Sequence, residues 1–244
     1  MTTERPFRIA SHDEFPILDV GPYLAGKDGA LEALAFQVRD ALERVGFMMW
    51  INHDLDQDTI TSAFAGSKQF HDLPHDEKMK LKVDEHQSGY VPMGLSLNKN
   101  SSVDGTKGLK TNAMENLTYY QDRAPDDPKV LSGERFRSMN RWPDPAIAPG
   151  FRESQMNFHS MMTELGYRML PVIARALEMP ADYFDDYFKD PSVVVRMVKY
   201  PAMGDLRDDQ FGSASHTDAG FMTMLPQSNQ PGLQIKTPDG EWVD

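Results

Sequence analysis

His216 and Asp218 are separated by a single residue, and their side chains are of the types that bind divalent transition metals. On an extended strand, residues i and i+2 point to the same face, so an imidazole and a carboxylate would lie side by side. The pair supplies two-thirds of the two-histidine, one-carboxylate set that suits non-haem Fe(II) and leaves coordination positions open. No histidine follows Asp218, so a third ligand is expected beyond Asp244.

The spacing of this pair carries little information by itself. A chain of this composition contains about 0.7 such His-x-Asp pairs by chance. The alternative interpretation is a histidine at a strand end, followed by an aspartate that opens a turn. The rest of the chain has to decide between a metal site and a turn.

The composition argues against several kinds of protein. The 244 residues contain no cysteine, which rules out disulfides, thiolate metal sites and cysteine nucleophiles. The net charge is −12 and there is no polybasic run, which argues against nucleic acid and anionic membranes as partners. No segment reaches the length of a membrane span, and the N-terminus lacks an apolar signal core. These features predict a soluble, cytoplasmic protein.

Hydrophobic periodicity predicts helices in most of the chain and strands towards its end. Helices are expected near residues 31–45, 58–70, 76–82, 151–177 (about seven turns) and 181–188. Strands are expected at residues 15–20, 47–51, 115–120, 192–200, 211–215, 221–225 and 233–237, with a long loop at 96–111. This order predicts an α+β fold with a β-sandwich or roll on the C-terminal side.

Three other histidines are interpreted structurally. His71 and His75 are four residues apart, a spacing that can bind metal on a helix, but Pro74 interrupts helical continuity between them. Both have polar flanks and are predicted to lie on the surface. His159 lies beside the apolar face of the long helix and is predicted to be a packing residue.

Short motifs recur along the chain in a characteristic order. They are Phe15-Pro-Ile-Leu-Asp19, Val45-Gly-Phe47, Asn52-His53, Phe70-His-Asp-Leu-Pro74, Ser88-Gly-Tyr90, Asn140-Arg-Trp-Pro143, Lys199-Tyr-Pro201, His216-Thr-Asp218 and Gly232-Leu-Gln-Ile235. In order and spacing they resemble the isopenicillin N synthase-like family of Fe(II)- and 2-oxoglutarate-dependent oxygenases. The resemblance runs from about Phe15 to the last residue.

The resemblance implies a distorted double-stranded β-helix (jelly-roll) core with flanking helices. Residues 15–127 would form the N-terminal non-haem dioxygenase region, and residues 191–244 would begin the oxygenase core, both within one structural domain. The family's distal histidine and the Arg-x-Ser that grips 2-oxoglutarate would follow Gly232-Leu-Gln-Ile235. The C-terminal part of the core would then be missing from this chain, and we expect a fragment of a longer protein.

The resemblance also assigns roles to four residues. His216 and Asp218 match the first two iron ligands, and no catalytic residue beyond the metal ligands is implied. Tyr200 matches a tyrosine that in many members contacts the distal carboxylate of 2-oxoglutarate. Arg196 occupies a position where some members have a basic residue near cosubstrate or substrate.

The expected function is oxidation of a small molecule by Fe(II), 2-oxoglutarate and O2, with succinate and CO2 as co-products. Hydroxylation, desaturation and ring closure all remain open, as do the substrate and the oligomeric state. Two alternatives also remain. One is a related non-haem iron oxidase that does not use 2-oxoglutarate, and the other is a truncated, non-catalytic jelly-roll binding module.

Overall fold

The structure, a computed structural model, describes Ser11 and residues 14–95, 112–202, 212–218 and 220–243. The loop predicted at 96–111 lies outside the described residues, as does Phe211. The chain divides into two compact units that alternate along the sequence. The first holds the chain through Leu55, Thr163–Pro191 and the chain from Leu225; the second holds Asp56–Met162 and Ser192–Met224.

Six helices and seven strands form within the described residues. The helices are α1 (Gly21–Leu24), α2 (Ala30–Arg44), α3 (Gln57–His71), α4 (His75–Met79), α5 (Pro128–Leu131) and α6 (Phe151–Ala176). The strands are β1 (Ile17–Asp19), β2 (Met49–Ile51), β3 (Gly89–Val91), β4 (Glu115–Tyr120), β5 (Val194–Lys199), β6 (Ile235–Lys236) and β7 (Trp242–Val243). Among these helices, none is both long enough and apolar enough to cross a membrane.

The first unit contains a parallel strand pair, β1–β2, joined through α1 and α2. Parallel neighbours need a crossover of this kind because the chain must return to the same end of the sheet. Helix α2 buries Leu34, Ala35, Val38 and Ala41, the stripe that its helical spacing predicts. Arg39 on this helix donates from Nε to the carbonyl oxygen of Ala176 at 2.6 Å and fixes the end of α6.

The second unit is built around an antiparallel sheet in the order β3–β4–β5. Because side chains alternate along a strand, one face of β4 carries Leu117 and Tyr119 and the other carries Asn116 and Thr118. The first face belongs to the buried core of the unit. The core residues are Phe70, Tyr90, Leu117, Tyr119, Ala148, Phe151 and Met197.

A buried ion pair lies at the start of β4. Lys78 of α4 donates to Oε2 of Glu115 at 2.7 Å, and the hydroxyl group of Tyr90 donates to the same oxygen at 2.5 Å. Lys78 also donates to the carbonyl oxygen of His71 at 3.1 Å. Burial raises the pKa of Glu115, but the hydrogen bonds from Lys78 and Tyr90 outweigh burial and leave the pKa below its ordinary value.

Most predicted elements are present. Helices α2, α3, α4 and α6 and strands β1, β2, β4 and β5 fall within a few residues of the predicted ranges. Helix α6 is 26 residues long, which is the predicted seven turns. The mixture of helices and sheets is confirmed, but the described residues form only three small sheets, with two, three and two strands.

Three local predictions are wrong. Residues 181–188 form successive turns instead of a helix, with Tyr183 bonded to Pro180 and Asp185 to Asp182 at 3.0 Å each. Residues 212–215 and 221–225 are not strands, and the last predicted strand shrinks to β6. Phe221 and Leu225 are exposed, so these apolar side chains do not gain the packing that stabilises a strand.

Two of the three predictions of where a histidine lies, on the surface or in the core, are confirmed, and one is wrong. His75 is exposed and His159 is buried, as predicted, but His71 is buried instead of lying on the surface. Nδ1 of His71 donates to the carbonyl oxygen of Ser67 at 2.8 Å, while its Nε2 has no hydrogen-bond partner. Desolvation lowers the pKa of His71 and of His159 below the ordinary value for histidine.

We expect the free energy of unfolding to fall as the pH drops below about 6.5, the ordinary histidine pKa. In the unfolded chain His71 and His159 take up protons near that pH, whereas in the folded chain their lowered pKa values keep them neutral. The contribution of these two histidines to the free energy of unfolding is therefore fully present above this pH. Below it, the free energy of unfolding declines by up to about 1.4 kcal/mol per pH unit for each histidine. Urea unfolding between pH 7 and pH 5 measures the slope.

The matched control for this prediction is the exposed His75. His75→Gln should leave the dependence of stability on pH unchanged, whereas His71→Gln combined with His159→Gln should flatten it. A slope that persists in the double variant would assign the effect to other groups.

Candidate metal centre

His216 and Asp218 lie side by side in the second unit. Nε2 of His216 is 3.4 Å from Oδ1 of Asp218, and the two side chains are 38% and 52% exposed. The described part of the strand predicted at residues 211–215 is not a strand, and residues 216–218 belong to no strand either. The two groups nevertheless face each other, as the metal-site interpretation requires.

The hydrogen bonding of His216 prepares its other ring nitrogen for a metal. Nδ1 lies 2.8 Å from the carbonyl oxygen of Ala214. Because a carbonyl oxygen only accepts, Nδ1 carries the proton and Nε2 keeps a free lone pair in the neutral ring. Metal-binding histidines commonly use this arrangement. Nε2 then faces the carboxylate that would be the next ligand.

The separation of the two ligand atoms fits a shared ion. Nitrogen and oxygen ligands lie about 2.1 Å from a divalent transition metal, so two neighbouring ligand atoms are about 3 Å apart when they subtend a right angle. The 3.4 Å between Nε2 of His216 and Oδ1 of Asp218 is close to this value. Within the described ranges, no group of three histidine or acidic side chains lies close enough together to hold a metal ion. A third ligand beyond Asp244 stays a prediction.

The segment that carries the pair is attached to the β3–β4–β5 sheet at two points. The backbone N–H of Ala214 donates to Oδ1 of Asn112 at 3.0 Å, three residues before β4 begins. Gly212 lies against the ring of Tyr200, directly after β5; a Cβ on Gly212 would be 2.8 Å from Cδ1 of that ring. Tyr200 and the metal pair therefore belong to neighbouring parts of one unit.

Arg196 and Tyr200 lie four residues apart, on the face of the sheet opposite the core residue Met197. Arg196 is directly opposite Thr118 in the strand register. Desolvation lowers the pKa of Arg196 and raises that of Tyr200, and the positive charge of Arg196 opposes the rise. Among the described residues no carboxylate forms an ion pair with Arg196.

Two asparagines that the sequence analysis did not single out share this region. Asn116 is fully buried on the face that carries Arg196; its Oδ1 accepts from Thr118 at 3.2 Å, but its Nδ2 has no hydrogen-bond partner. Asn112 accepts from Ala214. Asn116 belongs to a glycosylation sequon, Asn116-Leu-Thr118, which we interpret as chance, and Asn112 belongs to no spaced motif.

A cavity of about 310 Å³ lies elsewhere in the second unit. Asp84, His86, Asn140 and Arg141 are among its lining residues, and neither His216 nor Asp218 takes part. Arg141 is already paired with Asp84 at 3.3 Å, so the charges in this cavity are largely satisfied internally. Among the described residues of this cavity, no group of three histidine or acidic side chains is placed to hold a metal ion.

A known family and several known proteins are similar to the chain. Residues 15–145 match the N-terminal family model of the non-haem dioxygenases in morphine synthesis. A 2-oxoglutarate-Fe(II) type oxidoreductase of Emericella nidulans is 30% identical over 236 residues, which cover 94% of this chain and 65% of the relative. The sexual differentiation process protein isp7 of Schizosaccharomyces pombe is 26% identical, and the match covers 91% of this chain and 69% of isp7.

The fold is also present among solved structures. A Neurospora crassa protein, solved at full length in complex with α-ketoglutarate, superposes with a TM-score of 0.74 at 23% identity. The match covers 96% of this chain and 71% of the Neurospora protein. The chain thus spans roughly two-thirds of the length of the proteins it resembles.

Proposed function

Because the chain belongs to the non-haem, 2-oxoglutarate-dependent Fe(II) dioxygenase family, we propose that the protein oxidises a small molecule with O2 and releases succinate and CO2. Hydroxylation, desaturation and cyclisation are all within reach of this chemistry. Nothing in the described residues favours one of them. The proposal covers the protein as a whole, whereas the chain spans 65% and 69% of two of its relatives.

One observation carries the proposal: Nε2 of His216 lies 3.4 Å from Oδ1 of Asp218, while Nδ1 of the same ring is bonded to the carbonyl oxygen of Ala214. We assign these two side chains as iron ligands, with a third ligand expected beyond Asp244. Bound ferrous iron would supply the oxidising chemistry, which side chains alone cannot provide. The chain's own contribution is to hold the two ligand atoms together and to supply one negative charge.

Tyr200 and Arg196 are proposed to bind the organic reactants. The hydroxyl group of Tyr200 would donate to the distal carboxylate of 2-oxoglutarate, since a tyrosine hydroxyl is protonated at neutral pH and can donate a hydrogen bond. Arg196, on the same face of β5, would bind an anionic group of the substrate or cosubstrate.

We also propose that residues 15–127 form an N-terminal dioxygenase region and that residues 191–244 begin the oxygenase core. We propose a cytoplasmic location for the protein.

Turnover of 2-oxoglutarate tests the proposal. With Fe(II), 2-oxoglutarate and oxygen, the protein is expected to form succinate, and a chelator should stop its formation. Tyr200→Phe should weaken 2-oxoglutarate binding about 10- to 150-fold, because a hydrogen bond to a charged group contributes about 1.5–3 kcal/mol. Anaerobic titration with 2-oxoglutarate gives the affinity, and chromatography measures the succinate.

Tyr187→Phe is the control, since this tyrosine is 70% exposed. It should bind 2-oxoglutarate as the unmodified protein does. Oxygen consumption that requires iron and proceeds without succinate would identify a related oxidase that does not use 2-oxoglutarate. Metal binding with no oxygen consumption under any condition would favour a binding module.

A further inference from the structure

Asn112 links the sheet to the segment that carries the metal pair. Its side chain is buried, at 4% exposure, and it lies three residues before β4. Oδ1 of Asn112 accepts from the backbone N–H of Ala214 at 3.0 Å. The following residues, Ala113 and Met114, are also buried, so the position of Asn112 is fixed by the core of its unit.

Ala214 connects this anchor to the histidine. Its N–H is bonded to Asn112 and its carbonyl oxygen accepts from Nδ1 of His216 at 2.8 Å. Ala214 is itself buried, at 4% exposure. Two consecutive hydrogen bonds therefore run from a buried side chain beside β4 to the imidazole of His216, through a single residue.

We propose that Asn112 is a positioning residue for the metal-binding histidine. Residues 214–218 belong to no strand, and the side chain of Asn112 bonds the backbone of Ala214 directly. Asn112 holds Ala214 in place, the carbonyl oxygen of Ala214 holds the proton on Nδ1, and Nε2 is left free for the metal. This inference rests on the proposed function, because it takes His216 to be a ligand.

A purely structural role would consist only of satisfying the buried N–H of Ala214. That role affects stability but leaves the tautomer and the metal affinity unchanged once the protein is folded. The positioning role affects both, because an Ala214 carbonyl that turns away no longer fixes the proton on Nδ1. Metal affinity and the tautomer of His216 therefore separate the two roles.

The experiment uses Co²⁺ as the probe, since its visible absorption reports coordination without oxidation. Asn112→Leu removes the acceptor and is expected to weaken Co²⁺ binding about 10- to 100-fold, the usual cost of losing a partner to a metal ligand. Asn112→Asp keeps an acceptor oxygen at the same position and should restore the affinity to within about threefold. Nitrogen chemical shifts of the metal-free His216 ring report whether Nδ1 still carries the proton.

Asn140→Leu is the matched control. Asn140 accepts from the backbone N–H of Tyr120 at 2.8 Å, at the opposite end of β4, and no described hydrogen bond connects it to His216. This variant should lose stability yet bind Co²⁺ with unchanged affinity. If Asn112→Leu does not fold, Asn112→Ser replaces it, because serine is too short to reach Ala214 and should weaken Co²⁺ binding to the same extent.

The outcomes distinguish this inference from the function on which it rests. If His216→Ala binds Co²⁺ as the unmodified protein does, His216 is not a ligand and the proposed metal site is wrong. If His216→Ala loses binding while folded Asn112→Leu or Asn112→Ser retains both affinity and tautomer, the metal site stands and the positioning role of Asn112 is overturned. Lowered affinity in these variants, with rescue by Asn112→Asp, supports both.

Discussion

Replacing His216 by alanine is expected to abolish Fe(II) binding and the formation of succinate. The imidazole is one of the two ligands that we propose for this chain, and Asp218 alone cannot hold a transition metal in a defined geometry. Loss of a residue that only supports a metal ligand lowers metal affinity by up to about 100-fold. We therefore expect loss of the ligand itself to lower it by at least about 100-fold. Anaerobic titration with Fe(II) and a succinate assay measure the two losses.

His75→Ala is the control, because His75 is exposed and lies outside the site. It should retain both metal binding and turnover. Succinate formation at the normal rate in His216→Ala would rule out His216 as an iron ligand. It would also remove the main support for the assignment of Asp218.

Replacing Lys78 by methionine is expected to lower the free energy of unfolding by about 3–5 kcal/mol. Lys78 and Glu115 are both buried, at 6% and 7% exposure, and their charges lie 2.7 Å apart. Removing the ammonium group would leave a buried carboxylate without its main compensating charge. The carbonyl oxygen of His71 would lose the same donor. Urea unfolding at neutral pH measures the loss.

Lys80→Met is the matched control, since Lys80 pairs with Glu77 at 2.6 Å on the surface of the same short segment. Exposed pairs contribute about 0–1 kcal/mol, so this variant should keep nearly full stability. Equal effects of the two substitutions would show that burial of the Lys78–Glu115 pair has no energetic consequence.

The sequence predicted those elements whose pattern extends over several turns or residue pairs. Helix α6 repeats apolar residues through 26 positions, and β4 and β5 pair along six residues each, so local pattern and tertiary packing agree. The types and closeness of His216 and Asp218 were also predictable, because they depend on only three consecutive residues. The family motifs supplied the remaining context.

The errors arose where contacts distant in sequence decide the structure. Phe184 packs against Leu170 and Ala174 and Phe188 lies beside them, and residues 181–188 make this contact as turns instead of the predicted helix. His71 is buried at 4% exposure, and its carbonyl oxygen accepts from Lys199, which lies 128 positions further along the chain, at 3.4 Å. The role of Asn112 depends on a hydrogen bond across 102 positions of the chain, which local pattern does not reveal.

The close contact between Gly212 and Tyr200 has a consequence for how this protein can evolve. With tyrosine at position 200, even alanine at 212 would bring its Cβ within 2.8 Å of the ring, closer than such atoms approach. Any side chain at position 212 therefore requires the half-exposed ring of Tyr200 to turn outward. Exchanging position 200 for a smaller residue first removes this requirement, so relatives with a large side chain at both positions should be rare.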